Sequence, residues 1–191
     1  LLGHKFSEAE LINWAVEMEG HPDNIVPAVL GGCAVAMVER GEVKYQRISF
    51  LPDLVFTVAV PDFMLPTEKS RRVLPEKVNL EDMTDNLQRA CFLVAALANS
   101  DYENLGMAME DKIFKAVRKQ FIPGLDAVIS SAVEAGAINA VISGAGPSVV
   151  ALSKGNEKNI GKCMQDAFKR YKIPSRVYHL KVDDSGIRFL E

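Results

Sequence analysis

Apolar positions recur along this chain with two different periods, and the changes of period mark its elements. Leu11, Trp14, Ala15 and Met18 are spaced for one helical face. They follow Ser7 and Glu10, the spacing of a capping box, and stop at Gly20, so residues 8–19 are predicted as a helix. From Gly32 to Ile48 the pattern shortens to two strands around Arg40-Gly41-Glu42, a hairpin signal. Leu54 to Val60, rich in Val and Phe, reads as a further strand. A short basic helix follows from Thr67 to Leu74, stopped by Pro75, and then a long one from Asn79 to Asn99. The long helix gathers Leu87, Ala90, Cys91, Val94, Ala95 and Ala98 on one face, predicted to be its buried side. More helix is expected through Glu103 to Val117 and from Leu125 to Ala135. The end of the chain reads as strand (Ala140 to Ile142), glycine turn, strand (Val149 to Leu152), helix (Glu157 to Tyr171) and strand (Arg176 to Lys181).

From residue 54 onward the order is β, α, β, β, α, β. This is the ferredoxin-like split βαβ arrangement, an α+β class, with additional helices in the first crossover. A proline-bearing turn near Phe50 to Asp53 suggests a boundary, giving an N-terminal piece at 1–52 and a second domain at 53–191. There is no internal repeat or low-complexity linker.

The 191 residues are 48% hydrophobic and 25% charged, an ordinary globular composition. A formal charge of −3 gives no electrostatic reason to expect nucleic acid or an anionic membrane, which points to a small molecule as the partner. Cys33, Cys91 and Cys163 are odd in number and lie in apolar runs, so they are expected to be reduced core residues of a cytoplasmic protein. The longest apolar runs, such as Cys91 to Ala98, fall short of the about 20 residues needed to span a bilayer. No signal-peptide pattern opens the chain. It begins with Leu1-Leu2-Gly3, which reads as the tail of one helix and the turn into the next, so a preceding N-terminal part is expected.

Three stretches carry candidate chemistry. In "EGHPDNIVPAVLGG", residues 19–32, Glu19 stands at a helix C-terminus, where the macrodipole disfavours a carboxylate unless a metal or a basic group compensates. His21, Asp23 and Asn24 follow on what reads as a tight turn before an apolar run closed by two glycines. Each has an ordinary structural reading; together they place several polar side chains at the mouth of an apolar wall. In the second stretch, Ser143, Gly144, Ala145, Gly146, Pro147 and Ser148 join two strands, with small residues that permit close approach and hydroxyls at both ends. Third, Thr67 and Arg71 lie one helical turn apart, and Arg118 closes the segment before Ile122-Pro123-Gly124; two arginines that converge can fork around a carboxylate.

"EGHPDNIVPAVLGG", "PTEKSRRVLP", "DKIFKAVRKQFIPGLDAV" and "SGAGPSVVAL", in this order, resemble the homoserine kinases of the GHMP kinase superfamily. The resemblance implies phosphoryl transfer from ATP, with Mg2+, to the side-chain hydroxyl of L-homoserine, a step of threonine biosynthesis. It implies Glu19 as the magnesium carboxylate, and His21 and Asn24 around the substrate hydroxyl. Asp23 falls within the catalytic group, without an assigned proton abstraction, since positioning and charge neutralisation can suffice for a loose transition state. Thr67, Arg71 and Arg118 become substrate-binding residues, the arginines as the carboxylate clamp. Ser143, Gly144, Ala145, Gly146 and Ser148 support the phosphate site.

Two features depart from the family. Phe114-Lys115-Ala116-Val117 stands where its members carry His-Gln-Pro-Tyr or similar, and no Pro-x-x-x-Gly-Leu-Gly-Ser-Ser phosphate loop occurs in the chain. The expectation is therefore the C-terminal part of such a kinase: a remnant of its N-terminal domain followed by a complete ferredoxin-like domain, inactive alone, with a homodimer left open. Two other readings remain: a mevalonate-type or diphosphocytidyl-methylerythritol-type kinase, and a non-catalytic ferredoxin-like module that senses amino acids.

Overall fold

The computed structural model describes residues 6–50 and 52–188. The Leu1-Leu2-Gly3 turn expected above lies outside the described residues.

The chain divides into two compact units. One holds the residues up to Phe50 together with those from Val182 onward, and the other holds the stretch between them, up to Lys181. The final stretch, expected to belong with the second domain, therefore groups with the first.

In the first unit, α1 (Glu8–Glu19) starts at a complete capping box. The Ser7 hydroxyl accepts from the Glu10 N–H at 3.2 Å, and the Glu10 carboxylate accepts from the Ser7 N–H at 2.8 Å. The following residues, expected to form a turn and a buried run, instead form a second helix, α2 (Pro22–Leu30). Proline at its first position fits a helix start, where no N–H is needed. Only one stripe of α2 is buried: Val26 and Leu30 close a small core with Ile12 and Val16 of α1. The hairpin of β1 (Cys33–Glu39) and β2 (Glu42–Ile48) covers that core. Its two-residue turn has Arg40 at φ 54° and Gly41 at φ 81°, the doubly positive geometry that matches strand twist.

In the second unit, β3 (Val55–Pro61) lies inside an antiparallel sheet of order β4-β5-β3-β6, with β4 at Asn139–Ile142, β5 at Val149–Ser153 and β6 at Ser175–Leu180. α7 (Leu125–Glu134) and α8 (Glu157–Arg170) pack with it, burying Leu125, Val128, Ala132, Ile160, Met164 and Phe168 against Ala59, Val149 and Ala151. Helix and sheet approach closely at Gly161, where a Cβ would stand 2.6 Å from a Val177 methyl. This is the ferredoxin-like arrangement, with α3 (Thr67–Arg72), α4 (Leu80–Ala98), α5 (Tyr102–Ala108) and α6 (Phe114–Arg118) ahead of α7 in the first crossover.

α4 corrects one expectation. Its apolar stripe faces out: Leu87 is 62% and Val94 39% exposed, and Cys91 is exposed as well, while Ala96 and Leu97 are the buried residues. The opposite, polar side is the packed one. Arg89 bonds Asp85 and the Met107 carbonyl, and Asn86 donates to Asp111 at 2.9 Å. A helical period states that two faces differ; it does not state which one finds partners. Cys33 and Cys163 are partly buried, and all three thiols are free. Among the described residues, no helix is long and apolar enough to cross a membrane.

Candidate functional site

The first unit builds its polar cluster from two helix ends. Glu19 is the last residue of α1, and Gly20, at φ 90°, provides the left-handed cap that reverses the chain. His21 then caps α2 in an extended conformation, without a side-chain bond to the helix. This leaves the imidazole free for its neighbours. Nδ1 is hydrogen-bonded to the Asp23 carboxylate, and Nε2 stands 3.8 Å from the Glu19 carboxylate. The imidazole is thus bracketed by two acids at the negative end of α1. Asp23 lies in the first turn of α2, where the free N–H groups favour an anion. Pro27, inside α2, has no N–H, so the Asp23 carbonyl lacks its helical donor. The Asn24 side chain is exposed and makes no hydrogen bond among the described residues.

The second unit brings together the glycine loop, α3 and α6. Between β4 and β5 the Ser143 N–H donates to the Ser148 carbonyl at 2.8 Å, and the Gly146 N–H to the Ser143 carbonyl at 2.9 Å. The next two carbonyls are held by side chains from outside the loop. Ser70, fully buried on α3, donates its hydroxyl to the Ala145 carbonyl at 2.8 Å, and Arg118 donates Nη1 to the Gly144 carbonyl at 3.0 Å. The N–H groups of Gly144 and Ala145 have no protein acceptor among the described residues. Tied carbonyls beside open N–H groups are the arrangement of an anion-binding concavity. Gly144 and Gly146 take positive φ, and a Cβ at Gly146 would stand 3.0 Å from Ile122.

Thr67 and Arg71 are exposed on α3, one turn apart as the spacing requires. Of the two adjacent arginines, Arg72 pairs with Glu68, whereas Arg71 has no acidic partner among the described residues. Arg118 is half committed: its guanidinium lies 5.3 Å from the Phe114 ring centre, Nη1 is on the loop, and its buried Nε has no partner among the described residues. Phe114, at the position where the family pattern differs, is therefore the stacking surface for that guanidinium. Ser70 escaped the sequence reading. Its one signal was to be the small uncharged residue inside the charged stretch Glu68 to Arg72.

Among the described residues no three His, Cys, Asp or Glu side chains converge to hold a metal ion by themselves. Magnesium seldom requires that: one or two carboxylates with substrate phosphates and water are its usual set, and Glu19, half exposed, fits as one such carboxylate.

Residues 93–170 match the family model described as GHMP kinases C terminal. Over 97% of its length the chain is 41% identical to the homoserine kinase of Moorella thermoacetica, covering 63% of that protein, and it is 35% identical to that of Halothermothrix orenii, covering 60% of it. It thus spans less than two thirds of these curated relatives. The homoserine kinase structure from Cytophaga hutchinsonii superimposes with a TM-score of 0.91 at 30% identity, over 97% of this chain and 61% of that one. A mevalonate kinase from L. major shares the fold with a TM-score of 0.70 at 19% identity, over 93% of this chain and 60% of that one. Residues 93–170 thus match the C-terminal domain of GHMP kinases, and the chain is similar to homoserine kinases over about three fifths of their length.

Proposed function

We propose that the protein transfers a phosphoryl group from ATP to the side-chain hydroxyl of L-homoserine, giving O-phospho-L-homoserine. The observation that carries this reading is the acid–imidazole–acid cluster of Glu19, His21 and Asp23 at two helix ends, in a chain whose relatives are homoserine kinases. His21 and Asn24 are assigned to the substrate hydroxyl. Asp23 beside them fixes the imidazole and needs no role as a base, because phosphoryl transfer through a loose transition state is driven by positioning and charge neutralisation. Arg71, without an acidic partner among the described residues, and Arg118, whose Nε has none there either, are assigned to the substrate carboxylate, with Thr67 one turn before Arg71. The open N–H groups of Gly144 and Ala145, in the loop bounded by Ser143, Gly146 and Ser148, support the phosphate site. Glu19 would hold magnesium, which when bound neutralises phosphate charge. A cytoplasmic location and a homodimer belong to the same reading.

The test is an assay of the protein extended to its relatives' full length, given L-homoserine and MgATP, with the product followed by phosphorus NMR. A phosphate monoester formed together with ADP is expected. Phosphorylation of mevalonate and not of L-homoserine would replace this reading.

A further inference from the structure

Of the two glycines that end "EGHPDNIVPAVLGG", Gly31 sits where nothing larger fits, while an added Cβ at Gly32 would meet only the Arg47 and Asp184 side chains, at 3.2 Å. After β6, the residues from Val182 onward return to the first unit as a strap. The Gly32 N–H donates to the Asp183 carbonyl at 2.9 Å, and the Ile187 N–H donates to the Val29 carbonyl at 3.1 Å. Arg47 of β2 reaches the Asp184 carbonyl at 3.4 Å. At the centre of this contact two glycines face each other. A Cβ on Gly31 would stand 2.5 Å from both the Asp184 carbonyl carbon and the Gly186 nitrogen. A Cβ on Gly186 would run into the Val29 carbonyl oxygen and stand 2.6 Å from the Gly31 nitrogen. Both are backbone obstacles that no side-chain rotation relieves, and both residues have positive φ, 72° and 62°.

The strap therefore grips the C-terminal end of α2, the helix whose first turn carries Asp23 and Asn24 and whose cap is His21. α2 is only nine residues long, is interrupted by Pro27, and fully buries only Val26 and Leu30, with Ile25 and Val29 partly buried beside them, so a contact at its C-terminal end has leverage on where it stands. We infer that the strap is a positioning element for the reactive cluster: the backbone contact between Gly31 and Gly186 sets where α2 stands and thereby aims His21, Asp23 and Asn24. Gly31 and Gly186 act through the helix and touch no reacting atom. The catalytic part of this inference rests on the proposed kinase activity.

The test compares Gly31→Ala and Gly186→Ala with Gly41→Ala in the full-length protein. Gly41 shares the positive φ, at 81°, but has nothing within 4 Å of an added Cβ, so it adds a Cβ at positive φ without the collision; Gly31, at ψ 175°, carries further backbone strain of its own, which belongs to the same contact. Activity is read as kcat per folded molecule well below the melting transition, so that lost stability alone leaves it unchanged. The ring-proton NMR signals of His21 are followed in parallel. Both strap variants are expected to lose roughly 10- to 100-fold in kcat, as small misplacements of reacting groups do, and to shift the His21 signals, while Gly41→Ala changes neither. Arg47→Gln, which removes one strap contact and no glycine, is expected to move both readouts in the same direction by about threefold or less, and it decides the matter should the glycine variants fail to fold. Unaltered kcat and unaltered His21 signals in whichever of these variants fold would overturn the inference. Should the wild type not phosphorylate L-homoserine, the proposed function falls, and the His21 signals still decide whether the strap sets the cluster.

Discussion

The helix-end cluster and the glycine loop are built on opposite plans. At residues 19–24 the side chains carry the polarity: two carboxylates bracket an imidazole, on a backbone of ordinary helix ends. At residues 143–148 the backbone carries it. The side chains are small, and the work of shaping falls to Ser70 and Arg118, which reach in from other helices to hold two carbonyls. The first plan depends on each functional group and on where α2 aims it. The second tolerates loss of a group at its rim and depends on conformation. A mutation should therefore affect function at the first region and stability at the second.

The largest expected effect follows at once. His21→Ala should lower kcat by about 100-fold, near 2.7 kcal/mol, while the melting temperature stays close to that of the wild type, because the ring makes no capping bond to the helix it precedes. A variant that melts far earlier would place His21 with the loop residues as a structural group. Second in size is Gly146→Ala, which adds a Cβ 3.0 Å from Ile122 at a positive φ and should cost about 1–3 kcal/mol in denaturant unfolding. Gly144→Ala, with open space around the added Cβ, carries only the left-handed penalty of about 1–2 kcal/mol and separates strain from collision within one loop.

The smallest effect is a pH dependence at the opposite end of α1, with the loop as its reference. The Ser7 N–H and hydroxyl hold the Glu10 carboxyl below its ordinary value of 4.5. A lowered value means that the capping box adds stability above the unfolded value and loses it as pH falls through the folded one. Below pH 4.5, the protection factors of amides in the first turn of α1 should fall, whereas the loop at 143–148, which contains no ionisable side chain, should keep its protection factors. An equal fall in both would mean that acid acts globally.

Much of this was legible in the sequence because local chemistry set it. Ser7 and Glu10 announced α1, Arg40-Gly41 announced the hairpin, and the strand order of the ferredoxin-like unit followed from its punctuation. α2 was missed because His-Pro-Asp-Asn has the composition of a turn and Pro27 interrupts the helical pattern; burial of Val26 and Leu30 against α1, a tertiary effect, tips it to helix. α4 was read with its faces exchanged because Arg89 and Asn86 find their partners on α5 and at Asp111, far along the chain. Glu19, His21 and Asp23 were legible as a group, since their proximity is local. Ser70 and the grip on Gly31 were not, since each depends on residues more than 70 positions away.

The account stands most directly on whether Arg71 reads a carboxylate. kcat/KM is measured for L-homoserine and for 3-aminopropan-1-ol, its decarboxylated analogue, with the full-length wild type and with Arg71→Ala. Losing a charged, bidentate contact should cost L-homoserine about 2–4 kcal/mol of transition-state binding and leave the analogue nearly untouched. Equal losses for the two substrates, or no loss for either, would contradict the assignment of Arg71 and the substrate class that rests on it.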